Sequence, residues 1–360
     1  MPTTPDLTGK MMGHGVYGRH SLAQHSAGGF GLPGLERAAH AVAATAENVA
    51  AVVVADLGAA GGRNELQPMT VAIQALRAAG VDAPIAVVHT DIPTNDFSAL
   101  FETVEHAPDT YLSLDDVYAF AAGRSFYGRI FPSESLTLAW SAIAVHWISR
   151  IPTPIRGHVY STFATGEVLD AFRRQSAQDW RVFLEARAAE LRPGAQMVIV
   201  GGANRDDGLS GAESLMDALN AALSDEVASG ALTEAEYDAM SIPTYNRTLA
   251  EFTAPFDGSD AFGLTLLEAE LDSAPDTYLA AYREDHDPQK FGAAVSGFLR
   301  AFTEPSLFGS IARAPGARSS IADRVYARVA ESAAAHPEAM ETRWHVAVLR
   351  IAKPTWATRG

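Results

Sequence analysis

The chain has 360 residues, of which 48% are hydrophobic and 19% charged, and its formal net charge is −16. A chain of this length can bury a large core, and no apolar run reaches the roughly 18 residues that would span a bilayer, so no membrane partner is expected. The acidic balance argues against a nucleic-acid partner, because phosphate binding needs a basic surface. Without cysteine there are no disulfides or thiol chemistry, and without a recognisable secretory signal we expect a cytoplasmic location.

The first 202 residues show two kinds of pattern. Residues 1–34 are rich in Gly and His with little periodicity, which is typical of an arm that becomes ordered on binding. From 35 to 202, strand-like apolar runs alternate with segments of helical spacing. This alternation predicts an α/β fold with a doubly wound, mostly parallel sheet and helices on both faces. The predicted helices are 35–49, 68–79 and 176–191, and the predicted strands are 52–57, 84–90, 135–142 and 195–200.

A short helical stretch is predicted directly after the strand at 135–142. Within it, Ile143, His146 and Trp147 fall at positions i, i+3 and i+4, a spacing that places them on one helical face. We expect that face to point toward a pocket.

The second half of the chain has a different pattern. Residues 203–335 are Ala-rich and mainly helical in spacing, whereas Arg343 to Lys353 alternates and predicts a strand that returns to the sheet. A helical insertion before the last strand would form a cap above the carboxyl ends of the other strands. The expected parts are an N-terminal arm or lid (1–34), an α/β core (35–202), a mainly helical cap (203–335) and a final strand (336–360).

The turn after the first strand is the most informative segment. The strand Val52 to Leu57 runs through Asp56 into a turn that contains Gly58 and two further glycines. Glycine lets the backbone approach a ligand closely. The glycines match neither G-x-G-x-x-G nor the P-loop. The form D-L-G-x-x-x-G resembles the first motif of S-adenosylmethionine-dependent methyltransferases, and the alternative is ordinary strand–turn–helix packing.

The second strand also ends on a carboxylate. Asp91 follows Asp56 by 35 residues and closes the apolar run that begins at Ile85. An acidic residue in this place commonly binds ribose hydroxyls, since a carboxylate accepts from two neighbouring hydroxyls at once. The alternative is that Asp91 caps the turn before Pro93.

Neighbouring strings carry a more specific resemblance. TDIPTNDFSALF at 90–101, SFYGRIFP at 125–132 and SLTLAWSAIAVHWISRIP at 135–152 follow the DLG turn in order. Together they closely resemble the SABATH family of carboxyl and N-methyltransferases. Near the start, Tyr17, Ser21 and Gln24 stand in that family's Y-x-x-x-S-x-x-Q spacing.

The sequence also departs from the motifs of the plant members. His20 stands where they carry Asn, and Ala59-Ala60 replaces a serine-rich loop. These departures put the contacts to the cofactor tail in doubt, and the chain resembles bacterial members that methylate fatty acids.

The resemblance implies a class I, Rossmann-like methyltransferase core at 35–202 that binds S-adenosylmethionine. No cluster of His, Asp and Glu at metal-ligand spacing is evident in the sequence, so we expect a metal-free reaction. Asp91 would hold the ribose, Ile92 and Phe126 would sandwich the adenine, and Ser125 would bond the adenine ring. Asp56 and Asn64 would lie near the charged methionine part. For Phe126 the alternative is core packing. The implied cofactor set is Tyr17, Ser21, Asp56, Gly58, Asn64, Asp91, Ile92, Ser125 and Phe126.

The resemblance also implies that Gln24 and Trp147 are the catalytic pair, holding the substrate carboxylate through an amide N–H and an indole N–H. The small residues Gly211 and Ala212 are expected to leave an apolar pocket open to an acyl chain. The alternatives are a buried core tryptophan at 147, a structural histidine at 146, and close packing of the small residues against a cap helix. The implied substrate set is Gln24, Ile143, His146, Trp147, Gly211, Ala212, Leu299, Phe302 and Trp344.

From these residues we expect an S-adenosylmethionine-dependent O-methyltransferase that forms methyl esters of small hydrophobic carboxylic acids, with medium-chain fatty acids favoured. A carboxylate is already ionised near neutral pH and is itself the nucleophile. The alternatives are methylation of an aromatic acid, N-methylation of a heterocycle, and a non-catalytic small-molecule binder. The family resemblance further implies a homodimer.

Overall fold

A computed structural model describes residues 9, 11–12, 21–46, 49–258 and 261–355. Its strands and helices are numbered here in chain order. The strands are β1 Val52–Leu57, β2 Ile85–Asp91, β3 Val117–Gly123, β4 Leu136–Ala142, β5 Leu191–Asn204, β6 Arg247–Thr248, β7 Thr265–Ser273 and β8 His345–Ala352. The helices are α1 Leu22–Gly29, α2 Leu32–Val42, α3 Leu66–Ala78, α4 Phe97–His106, α5 Gly166–Glu190, α6 Glu213–Ala228, α7 Glu234–Asp238, α8 Leu249–Thr253, α9 Thr277–Asp285, α10 Pro288–Gly309 and α11 Pro315–Ala335.

The strand order of the central sheet is β3-β2-β1-β4-β5-β8-β7, with β6 paired to β5. The first five strands in this order, from β3 to β5, pair with one another in parallel, whereas β8 is antiparallel to both β5 and β7. The chain moves outward from β1 to β3 on one side and restarts with β4 on the other. This reversal between β1 and β4 is a topological switch point, where doubly wound sheets bind ligands.

Helices cover both faces of this sheet. On one face, α2 and α3 bury residues such as Leu35 and Met69 against β1 and β2. On the other, α5 buries Trp180, Phe183 and Leu184 against β4 and β5. The predicted doubly wound, mostly parallel α/β sheet is therefore confirmed. No described helix is both long and apolar enough to cross a membrane.

A second core lies away from the sheet. Helices α6, α10 and α11 bury a continuous apolar cluster that includes Leu219, Phe298 and Val325. Within the predicted helical region 203–335, however, the structure places strand β7 at Thr265–Ser273. The description of that region as helical was incomplete, because β7 is an edge strand of the sheet.

The predicted helix after β4 is wrong. Residues 143–150 form turns whose backbone groups bond to distant segments, including Ile148 N–H to the carbonyl of Pro243. Ile143, His146 and Trp147 therefore do not share a helical face. Ile143 has a φ of 51°, in the left-handed region that β-branched residues rarely adopt. Such strain is retained where the surrounding structure enforces it.

Candidate active site

A cavity of about 220 Å³ lies at the switch point, beyond the carboxyl ends of β1, β2 and β4. The segments that form it are α1, the glycine turn after β1, the ends of β2 and β4, and the loop that follows β3. It gathers most of the predicted cofactor residues with both predicted catalytic ones: Ser21, Gln24, Gly58, Asn64, Asp91, Ile92, Ser125, Phe126 and Trp147. Tyr17 lies outside the described residues.

The glycine turn closes tightly under this cavity. Gly58 has a φ of 101°, and a Cβ there would lie 2.5 Å from the Cβ of Ala144. The N–H groups of Gly58 and Ala59 both donate to the carbonyl of Thr90, at 2.9 and 3.0 Å. A larger residue at position 58 would therefore push the turn away from β4.

Asp91 is fixed at the cavity wall by the backbone. Its two carboxylate oxygens accept from the N–H groups of Ala60 and Ile92, each at 2.7 Å. Burial raises the pKa of the Asp91 carboxyl, whereas these two hydrogen bonds act to lower it. Each oxygen retains a further lone pair, so the carboxylate can still accept from neighbouring hydroxyls.

The loop that carries Ser125 and Phe126 is held from behind by a buried ion pair. Arg187 donates through Nη1 and Nη2 to the carbonyls of Phe126 and Gly128 and through Nε to Glu190. Glu190 accepts from the N–H groups of Ile130 and Phe131. Both side chains of the pair are 0% exposed. Sequence reasoning missed this clamp, and its only local signal is an opposite-charge pair at i, i+3 on α5.

At another end of the cavity, Ser21 donates to the side-chain oxygen of Asn64 at 3.2 Å.

Asp56 does not line the cavity. Its carboxylate lies behind the cavity wall, where Nδ1 of His89 is 2.7 Å from Oδ2, and Nε2 of His89 is 2.8 Å from the hydroxyl of Tyr111. We predicted that Asp56 lies close to a bound cofactor. The structure instead places Glu65 in the cavity wall, and Asp56 would act on a cofactor through Glu65.

A second cavity of about 70 Å³, which we name the inner cavity, shares part of its lining with the first. Gln24, Ile143 and Trp147 line both cavities, so they form the boundary between them. The inner cavity is mainly apolar, with Phe298 and Trp344 among its walls. Its other lining residues are Ala23, Ala27, His146, Gly202, Asn246, Phe302, His345 and Val346.

Trp147 is held at this boundary by its backbone. The hydroxyl of Tyr127 donates to the carbonyl of Trp147, and Arg247 donates to the carbonyl of Val145 at 2.7 Å. Trp147 is partly exposed, so it is not the fully buried core tryptophan of the alternative interpretation. Its ring meets that of Phe302 edge to face, with 6.5 Å between centroids.

His146 is neutral in this setting. Burial and the charge of Arg247 lower the pKa of its imidazole to about 3. Its Nδ1 accepts from the N–H of Gly202 at 3.3 Å, so the proton lies on Nε2. His146 is therefore a wall of the inner cavity with one structural hydrogen bond.

Three residues of the predicted substrate set do not line either cavity. A Cβ on Gly211 would lie 1.8 Å from the carbonyl oxygen of Arg343, so this glycine serves backbone contact just before β8. Ala212 and Leu299 are buried in the cap core. The prediction that Gly211 and Ala212 open the pocket is wrong, because both small residues pack closely against other parts of the chain and leave no space beside them.

The donors and acceptors of the larger cavity fit S-adenosylmethionine. Asp91 presents an anchored carboxylate to hydroxyls, Ser125 and Phe126 offer a polar and an aromatic contact, and the side-chain oxygen of Gln24 is buried without a hydrogen-bond donor from the described residues. Across the described ranges, no three His, Asp or Glu side chains are grouped as metal ligands.

The sheet order, the switch-point cavity and the acid-tipped second strand define a class I, Rossmann-like methyltransferase. A solved structure described as loganic acid methyltransferase with SAH shares the fold, with a TM-score of 0.80 at 20% identity, covering 98% of this chain and 100% of the other. The family model described as SAM dependent carboxyl methyltransferase matches residues 8–354. The chain belongs to that family, which confirms the SABATH resemblance and makes S-adenosylmethionine its cofactor.

Curated relatives agree with this assignment. Methyltransferase LUC1 of Fusarium sp. is 30% identical over 245 residues, a match that covers 67% of this chain and 64% of the relative, which is under two thirds of its length. Indole-3-acetate O-methyltransferase 1 of Oryza sativa subsp. japonica is 28% identical over 367 residues, covering 92% and 88%. Salicylate carboxymethyltransferase of Clarkia breweri is 28% identical over 274 residues, covering 71% and 74%.

Proposed function

We propose that this protein transfers a methyl group from S-adenosylmethionine to the carboxylate of a small hydrophobic acid. The observation that carries the proposal is the shared boundary between the two cavities. Gln24 and Trp147 line both of them, so an acid bound there would have its carboxylate facing the cofactor and its apolar body in the inner cavity. Relatives named for indole-3-acetate and salicylate methylate acids of this general kind.

Methyl transfer to a carboxylate needs little acid–base catalysis from the protein. A carboxylic acid is ionised at neutral pH and attacks as the carboxylate. When bound, the cofactor supplies an electrophilic methyl group. Gln24 and Trp147 orient the carboxylate by donating N–H groups to it, and the apolar wall excludes water. His146 has no proton to exchange near neutral pH, since burial lowers the pKa of its imidazole to about 3.

Among hydrophobic acids, we propose a medium-chain fatty acid. Gly211 and Ala212 no longer support this, and the inner cavity supports it instead. Its walls are mainly apolar, with Phe298 and Trp344 among them. Methylene groups of an alkyl chain buried against these walls would each contribute about 0.8 kcal/mol to binding.

An aromatic acid is the second candidate. The rings of Phe298, Phe302 and Trp344 stand at tilted or edge-to-face angles around the inner cavity, with centroids 5.1 to 6.0 Å apart. Such an arrangement would also stabilise a bound aromatic ring by edge contacts. N-methylation of a heterocycle fits the boundary less well, because a neutral ring offers its two N–H donors no negatively charged acceptor.

A panel of acids tests the proposal. The specificity constants for octanoate and salicylate are measured with methyl-labelled cofactor, beside a cofactor titration that detects a non-catalytic binder. We expect transfer to both classes of acid to be detectable and octanoate to have the larger kcat/KM. A strong preference for salicylate would refute the fatty-acid assignment, and cofactor binding without transfer to any acid would refute the enzymatic one.

We also propose that residues 1–34 close over the bound ligands as a lid. The described part of this arm supports the idea, since Gly9, Met11 and Met12 line the larger cavity. A Cβ on Gly9 would lie 2.2 Å from the ring of Trp147. Gly9→Ala should therefore keep the arm open, and S-adenosylhomocysteine should protect the arm from proteolysis in the unaltered protein only. Equal protection in both proteins would count against a lid.

From the family resemblance we further propose a homodimer, and from the lack of cysteine a cytoplasmic location. Edge strand β3 presents Tyr118 and Phe120 at 54% and 51% exposure, a surface that a second copy would cover. Light scattering should give the mass of a dimer, and Tyr118→Ser with Phe120→Ser should give a monomer. A monomeric unaltered protein would rule out the dimer.

A further inference from the structure

Glu65 is a residue of the cofactor cavity that no motif assigns. It ends the short 3-10 turn Arg63–Glu65 before α3, directly after Asn64. The side chain is almost fully buried, with the residue 4% exposed, yet it lines the same cavity as Ser21 and Asn64. Its Oε2 accepts from the indole N–H of Trp140 in β4 at 2.9 Å. A carboxylate is thus built into the cavity wall with a fixed orientation.

Asp56 lies directly behind Glu65. The residue is 1% exposed, and while His89 bonds Oδ2, Oδ1 receives no N–H or O–H donor from any described residue. Asp56 and Glu65 act on each other directly. Because two ionised carboxylates repel each other in a buried site, a single proton shared by the two side chains stabilises the pair.

Among the described residues, no positively charged side chain is paired with Asp56 or Glu65 near pH 7. Burial and the charge of Asp91 raise the pKa of Asp56, and burial and Asp56 raise the pKa of Glu65. His89 is neutral near pH 7, because burial lowers its pKa to about 4, and its other nitrogen meets Tyr111. The guanidinium of Arg63, in the same turn as Glu65, is paired with Asp109 at 2.6 Å.

We propose that Glu65 binds the positively charged methionine end of S-adenosylmethionine, and that the Asp56–Glu65 pair gives up its shared proton to solvent when that charge arrives. A cation in the cavity stabilises the doubly ionised pair, so binding and deprotonation are linked. After methyl transfer the sulfonium charge is gone, and the remaining ammonium is balanced by the ligand's own carboxylate, so the pair takes a proton back from solvent. The site would then hold the charged cofactor more tightly than S-adenosylhomocysteine, which favours product release. This inference rests on the cofactor and is independent of which acid is methylated.

The unaltered protein provides the first test. Calorimetric titrations with S-adenosylmethionine and with S-adenosylhomocysteine, without acid substrate, are repeated at pH 7 in buffers of different ionisation enthalpy. The buffer dependence of the heat counts the protons released. We expect more proton release with S-adenosylmethionine than with the product. Equal proton release with both would overturn the proposal.

Glu65→Gln provides the second test, because glutamine keeps the geometry and removes the proton. Its oxygen can accept from Trp140 and its amide can donate to Oδ1 of Asp56. We expect the variant to fold, to lose the extra proton release, and to bind S-adenosylmethionine about tenfold or more weakly, as the loss of a charged contact implies. The affinity for S-adenosylhomocysteine should fall less.

Equal losses for both ligands in Glu65→Gln would show a merely structural role and overturn the proposal, as would unchanged affinities. Glu102→Gln is the matched control, since Glu102 is an exposed carboxylate on α4. We expect this control to keep the affinities and the proton count of the unaltered protein. A failure of the acid panel with intact proton release would refute the proposed substrate and leave the role of Glu65 standing.

Discussion

Replacing Asp91 with asparagine tests the proposed ribose contact while part of the support of the glycine turn is kept. Asp91→Ala would leave the N–H groups of Ala60 and Ile92 without acceptors, since each now donates to one carboxylate oxygen at 2.7 Å. Asparagine keeps one of these acceptors and is nearly isosteric. It replaces the second charged oxygen by an amide that cannot accept. The variant therefore loses acceptor capacity toward the ribose and one of the two hydrogen bonds to the turn, so folding is measured beside affinity.

The expected loss follows from the contact that is removed. A hydrogen bond to a charged group contributes about 1.5–3 kcal/mol, which corresponds to a roughly 10- to 150-fold weaker affinity. Calorimetric titration with S-adenosylhomocysteine measures this affinity, with circular dichroism as the check on folding. Asp115→Asn, a change at an exposed residue just before β3 that lines neither cavity, is the control and should bind normally. Unchanged affinity in folded Asp91→Asn would refute the assignment of Asp91 to the ribose.

Three other predictions concern the acid site, the clamp and pH. Trp147→Phe and Gln24→Ala should each lower turnover with little change in cofactor affinity, and full activity of the double variant would contradict the carboxylate assignment. Arg187→Met should cost about 3–5 kcal/mol of unfolding free energy, because Glu190 is left buried without its partner, and should weaken cofactor binding; denaturant unfolding that matches the unaltered protein would contradict this. The pKa of His146 is lowered from 6.5 to about 3, so stability is lost as pH falls below 6.5, when only the unfolded state gains this proton. His146→Gln should remove that loss, about 1.4 kcal/mol per pH unit, and an identical pH dependence of unfolding would contradict the assignment.

The buried strands could be predicted from the sequence because their apolar runs are continuous. Val52–Leu57 and Ile85–Asp91 are examples, and both were predicted to within a residue. The edge strands β3 and β7 were missed. Strand β3 has only half-buried and exposed positions, and β7 has the sequence TLLEAELDS, whose Leu, Glu and Ala are good helix formers. Whether such a segment forms a strand or a helix depends on its pairing with a neighbouring strand.

The site was predictable where a local motif carries it and not where distant segments meet. Asp91 and Phe126 sit in strings that resemble the family, whereas nothing local shows that Glu65 faces Asp56 across the turn. Residues 143–150 have helical spacing, but their hydrogen bonds go to Pro243 and Tyr245, far along the chain. Likewise, a small side chain at Gly211 gives no sign of whether it faces a cavity or a backbone carbonyl.

The central claim is that this site moves a methyl group from S-adenosylmethionine to the carboxylate oxygen of a hydrophobic acid. The most direct measurement is a reaction with octanoate and cofactor whose transferable methyl is isotopically labelled, followed by mass spectrometry. The account predicts labelled methyl octanoate and S-adenosylhomocysteine in equal amounts. Label on a carbon or nitrogen atom, or S-adenosylhomocysteine formed without any ester, would contradict it.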